Sequence, residues 1–103
     1  MSSPLPDDLA NAPGAVIRVM KIVNEKGLHA RASAKFVQTV EKFEAAVRVS
    51  RNGESVGGDS IMGLMMLAAG IGASITVTAT GREAQEVIAA LDALVSTRFG
   101  EDE

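Results

Sequence analysis

The chain predicts an α+β fold in which three helices cover one face of a four-stranded, mainly antiparallel sheet. Three observations predict it. Segments that alternate apolar and polar residues interchange with segments of helical period, in the order β-α-β-β-α-β-α. Asn52-Gly53 stands between two short β-prone arms and marks a tight hairpin, because both central residues of a type I′ turn need positive φ. A length of 103 residues, 47% of them hydrophobic, suits a single core in a single domain.

The elements follow in order. Residues 1–14 hold all three prolines, lack the basic start and apolar stretch of a secretory signal, and read as a flexible leader before a domain at 15–103. Residues 15–23 (AVIRVMKIV) are rich in β-branched side chains and predict a strand with Met20 and Ile22 on its buried face. Residues 24–27 form a loop with Gly27 as its turn residue. Residues 30–42 predict a helix, with Ala34, Phe36, Val37, Val40 and the following Phe43 at helical spacing and Gln38, Glu41 and Lys42 left for water. Val47 and Val49 point inward from a strand at 46–51, and 54–57 returns as the second arm of the hairpin. Ser60 is a natural N-cap for a short helix at 60–69, with Gly70 and Gly72 ending it. Residues 74–80 (SITVTAT) predict a strand, and 82–99 a helix with the stripe Ala84, Val87, Ile88, Leu91, Leu94 and Val95.

Composition excludes several functions. The absence of cysteine removes disulfides and thiolate chemistry and suits a reducing cytoplasm. One histidine without cysteine argues against zinc or copper, and no nucleotide-binding motif is present, so neither metal nor cofactor is expected. A net charge of −3, with no Trp or Tyr, argues against nucleic acid, and no apolar run is long enough for a membrane. The charge is uneven: residues 1–51 carry eight Lys/Arg against five Asp/Glu, and residues 52–103 carry two against eight.

The one histidine, His29, lies where the first strand pattern gives way to the first helix pattern. A helix start gathers unpaired N–H groups and the positive end of the dipole, which favour a phosphate. An imidazole there can act as a nucleophile, and the Arg31 guanidinium suits phosphate oxygens. Lys26 and Lys35 add positive charge for an acidic partner or a phosphate. The carboxylates are scattered on solvent-facing positions and offer no candidate acid/base pair. In the short helix Leu64 and Leu67 share an inward face, which leaves Ile61, Met62 and Met65 as an exposed apolar patch. Taken by itself, each feature also has an ordinary structural use, as helix start, N-cap or core filler.

Together, Gly27-Leu28-His29-Ala30-Arg31, Asn52-Gly53 and Ser60-Ile61-Met62-Gly63-Leu64-Met65 with Gly72 downstream resemble the HPr family, the histidine-containing phosphocarriers of the bacterial phosphotransferase system. The resemblance spans residues 15–99. It implies an open-faced β-sandwich, phosphoryl transfer from phospho-enzyme I to Nδ1 of His29 with Arg31 assisting, and onward transfer to an EIIA protein. It implies phosphorylation of Ser60 by HPr kinase/phosphorylase where that enzyme exists, and docking of partners on Ile61, Met62 and Met65; Lys35, by its charge, is a further candidate for partner binding. The chain is expected in the cytoplasm, and as a monomer because small diffusing carriers usually are. The family usually has proline after the arginine, where this chain has Ala32, as in variants of nitrogen-type or regulatory branches. Two other readings stay open: a purely regulatory binding module controlled at Ser60, and a small acid/base enzyme using His29.

Overall fold

The computed structural model describes residues 14–103. The expected leader, apart from Gly14, lies outside them. Strands β1 (Val16–Lys21), β2 (Ala46–Arg51), β3 (Glu54–Gly57) and β4 (Ser74–Thr80) alternate with helices α1 (Ala30–Val40), α2 (Ile61–Met66) and α3 (Ala84–Ser96), and a 3₁₀ turn, Arg98–Gly100, closes the chain. This is the expected element order. The sheet runs β1-β4-β2-β3, and all three pairings are antiparallel.

Alternation sorts the strands into two faces. Met20 opposite Ile75, and Val49 opposite Val77, point into the core. The other face carries Thr76 and Thr78 with Arg48 and Ser50, and at the β1 edge Ile17 and Val19 stand exposed on it. Phe36 and Val37 of α1, Leu64 of α2, and Val87, Ile88, Leu91 and Val95 of α3 seal the first face.

One set of buried residues and two helix boundaries differ from the sequence expectation, the boundaries for backbone reasons. In α1 the buried small residues are Ala32 and Ser33, while Ala34 is half-buried, and the Ser33 hydroxyl donates to the Leu28 carbonyl at 3.2 Å. Helix α2 ends before its glycines: Leu67 is the C-cap, and Ala68 itself takes the left-handed conformation, φ 52°. The final helix stops at Ser96, because Arg98 (φ 61°), Phe99 (φ 55°) and Gly100 (φ 77°) are all left-handed. Two non-glycine residues in that region cost roughly 1–2 kcal/mol each. Phe99 is fully buried as a result, and sinking a phenylalanine into a core returns roughly 1.5–3 kcal/mol. The same turn reverses the chain and sends its last residues back across the start of α1.

Candidate functional site

The loop between β1 and α1 is the base of the site. Gly27 adopts φ +67°, and a Cβ there would run into the Ala69 carbonyl and come within 2.8 Å of the Gly70 Cα. Only glycine lets the loop pass so close beneath the end of α2. Leu28 is buried and its N–H donates to the Ala69 carbonyl at 3.0 Å, so the start of α1 and the end of α2 are stitched together.

His29 is the N-cap of α1, with extended backbone (φ −74°, ψ 179°) and no side-chain capping bond. Its carbonyl accepts the first helical bond, from the Ser33 N–H at 2.8 Å. The amides of Ala30, Arg31 and Ala32 therefore precede the helical ladder, as at any helix start. The imidazole is 27% exposed, and its Nε2 is hydrogen-bonded to the Glu101 carboxylate. The other Glu101 oxygen accepts from the Asn24 side-chain amide at 3.1 Å, and that amide also donates to the Gly27 carbonyl at 2.9 Å. Asn24 is fully buried.

The tail that brings Glu101 here is strapped on both sides. The Lys35 ammonium donates to the Phe99 carbonyl at 2.6 Å, and the Glu25 N–H donates to the Glu103 carbonyl at 3.0 Å. Lys35, expected to meet an acidic partner or a phosphate, here holds the tail. The carboxylates are likewise not all scattered on the surface: Glu101, which the sequence reading passed over, is paired with the histidine.

Two clefts meet at His29. One, of 290 Å³, is lined by Glu25, Lys26, His29, Arg31 and the acidic residues of the tail. The other, of 340 Å³, runs from Lys26 and His29 to Met65 and Ala68 at the end of α2. Arg31 is exposed and makes no ion pair or side-chain hydrogen bond among the described residues. Ile61, Met62 and Met65 are exposed as expected, and Met62 is 73% exposed. Met66 and Ile71 are exposed as well; Met66 follows Met62 by one helical turn, a spacing from which it could have been read. Ser60 caps α2, its hydroxyl accepting from the Gly63 N–H at 3.0 Å. Among the described residues no cluster of three or more His, Cys, Asp and Glu could hold a metal ion, and no helix is long and apolar enough to cross a membrane.

The hydrogen bond from His29 holds the Glu101 carboxyl below its ordinary value of 4.5, against the opposing effect of desolvation, and Asn24 and the positive charge of Lys26 assist. A carboxylate with a lowered folded pKa contributes stability that is present above its unfolded value and lost as pH falls through the folded one. Wild-type protein is therefore expected to lose stability between about pH 5 and about pH 3 more steeply than Glu101→Gln. Urea midpoints at the two pH values check this, and parallel losses would show that the pairing adds nothing to stability.

An open-faced α+β sandwich, whose single imidazole lies on the rim between a charged and an apolar cleft, is the class that fold and site define. Known proteins of that class agree. The family profile described as "PTS HPr component phosphorylation site" matches residues 16–97. The phosphocarrier protein HPr of Cupriavidus necator is 54% identical over 82 residues, covering 80% of this chain and 92% of that protein. The phosphocarrier protein NPr of Shewanella violacea is 34% identical over 84 residues, covering 82% of this chain and 92% of its own length. The crystal structure of HPr-C-His from Thermoanaerobacter tengcongensis aligns with a TM-score of 0.82 at 38% identity, over 85% of this chain and 99% of that one. The chain belongs to the HPr family, the phosphocarrier proteins of the phosphotransferase system.

Proposed function

We propose that His29 is the phosphoryl acceptor, taking the group on Nδ1 from phospho-enzyme I and passing it to an EIIA protein. The observation that carries this reading is the state of the imidazole: Nε2 is already committed to Glu101, at the head of an eleven-residue helix whose first amides are free of the helical ladder. The Nδ1 lone pair forms the new N–P bond while the donor's bond to phosphorus breaks, its electron pair leaving with the donor. The transferred oxygens then meet the α1 amides and the Arg31 guanidinium, which supply positive charge where negative charge gathers. Transfer to the acceptor reverses these steps.

Incubation with phosphoenolpyruvate, Mg²⁺ and enzyme I tests the reading, with acid-labile label on the wild-type protein as the expected result. A chain that stays unlabelled sinks it. Ala32 in place of the family's usual proline favours a regulatory branch, with the protein acting in the cytoplasm as a monomer.

Partners dock on the exposed Ile61, Met62, Met65 and Met66, of which Met65 lines the same cleft as His29. A charged residue in the centre of such a patch costs a partner at least ~1.4 kcal/mol, or about tenfold in affinity. Met62→Asp is thus expected to raise KM for both enzyme I and the EIIA protein about tenfold with kcat nearly unchanged; steady-state transfer assays check it. Ser60 serves as a second, regulatory acceptor for HPr kinase/phosphorylase. A phosphate there would sit well on α2's amino end yet place about two negative charges beside the apolar patch. Kinase labelling lost in Ser60→Ala tests that role.

A further inference from the structure

The tail beyond the segment matched by the family profile reaches the candidate acceptor by a specific chain of donors. The matched segment ends at residue 97, and Glu101 lies past it. The buried Asn24 amide nitrogen faces two acceptors at once, the Gly27 carbonyl and Glu101 Oε1, so its orientation is settled: the opposite flip would set Oδ1 against two oxygens. That orientation leaves Asn24 Oδ1 without a partner among the described residues. A carboxylate held this way has only lone pairs to offer on its far oxygen, which meets His29 Nε2.

We infer that Glu101 is a positioning residue for phosphoryl acceptance, holding His29 in the tautomer with hydrogen on Nε2 and the lone pair on Nδ1. The inference rests on the phosphocarrier reading above. In the neutral ring one nitrogen is the donor and the other the acceptor, so fixing Nε2–H fixes which atom is the nucleophile. After transfer the Nε2 hydrogen stays on the ring, the N–P bond replaces the Nδ1 lone pair, and the ring's added positive charge faces the same carboxylate.

The relay makes an unusual forecast. In Glu101→Gln the Asn24 donor keeps the new amide's oxygen on its own side and turns the amide NH₂ toward His29. Nε2 must then accept, which moves the hydrogen to Nδ1 and blocks the nucleophile. In Glu101→Ala the ring has no partner and populates both tautomers. The isosteric variant should therefore be the worse carrier.

Because His29 is the sole histidine, long-range ¹H–¹⁵N correlation spectra of the full chain report its tautomer without ambiguity. The expected result is Nε2–H in wild type, a mixture in Glu101→Ala and mainly Nδ1–H in Glu101→Gln. Single-turnover labelling by enzyme I should slow about threefold in Glu101→Ala and about tenfold or more in Glu101→Gln. Rates in the reverse order, faster labelling in either variant, or one tautomer shared by all three proteins would overturn the inference. Failure of wild type to label at all would remove the phosphocarrier reading, whereas the spectra judge the Glu101 relay separately.

Discussion

His29→Ala is expected to fold as stably as the parent chain, to within about 1 kcal/mol, and to take up no phosphoryl label from enzyme I. Stability should survive because the imidazole belongs to no core cluster. It is part-exposed on the rim, and its backbone, already extended at the cap, suits alanine. The substitution removes one hydrogen bond, and Glu101 keeps its Asn24 partner. Labelling should vanish outright, because the protein's only imidazole is gone. Arg31→Ala offers the graded comparison: it keeps the nucleophile and removes a guanidinium, so labelling should slow by roughly 10²-fold without disappearing. Residual acid-labile label on His29→Ala would move the acceptor elsewhere in the chain. Equal labelling of Arg31→Ala and wild type would strip Arg31 of its assigned part.

Phe36→Ala should have the largest effect on stability. Phe36 is fully buried on α1, under the sheet and among side chains of the other helices. Truncating a buried phenylalanine costs about 3–5 kcal/mol, from lost transfer energy and from the cavity that remains. Small domains hold only about 5–15 kcal/mol in total. The thermal midpoint should therefore fall by roughly 15–30 °C. Val19→Thr, on the exposed side of β1, is the control and should shift the midpoint by no more than a few degrees. A small shift for Phe36→Ala would mean that α1 is anchored mainly by Val37, Val40 and the Leu28 stitch.

These two sites show how unevenly the molecule could be read from its residues. The sheet and its hairpin were legible because local chemistry decides them: Asn52-Gly53 takes positive φ at both positions, and 74–80 alternates without interruption. Ser60 as a cap was legible for the same reason. His29's place at a helix start was readable too, since the flanking patterns change period there. Its partner was not. Glu101 stands 72 residues away, and only two consecutive left-handed non-glycine residues, Arg98 and Phe99, turn it back. The apolar stripe of α3 runs on through Phe99, so periodicity favours an unbroken helix. The contact of Lys35 was hidden for another reason. A long flexible stem can reach several partners, and the choice of the Phe99 carbonyl is made only once the tail is in place.

The buried ring of Phe99 has one more consequence. It acts as an anchor pin: two residues further on, Glu101 can hold the imidazole only while that pin is seated in the core. Loosening anywhere around Phe99 would release the carboxylate before the sheet came apart. Amide-exchange protection of the tail should then fall in step with the wild-type tautomer preference, which makes the state of one surface ring a gauge of the packing beneath it.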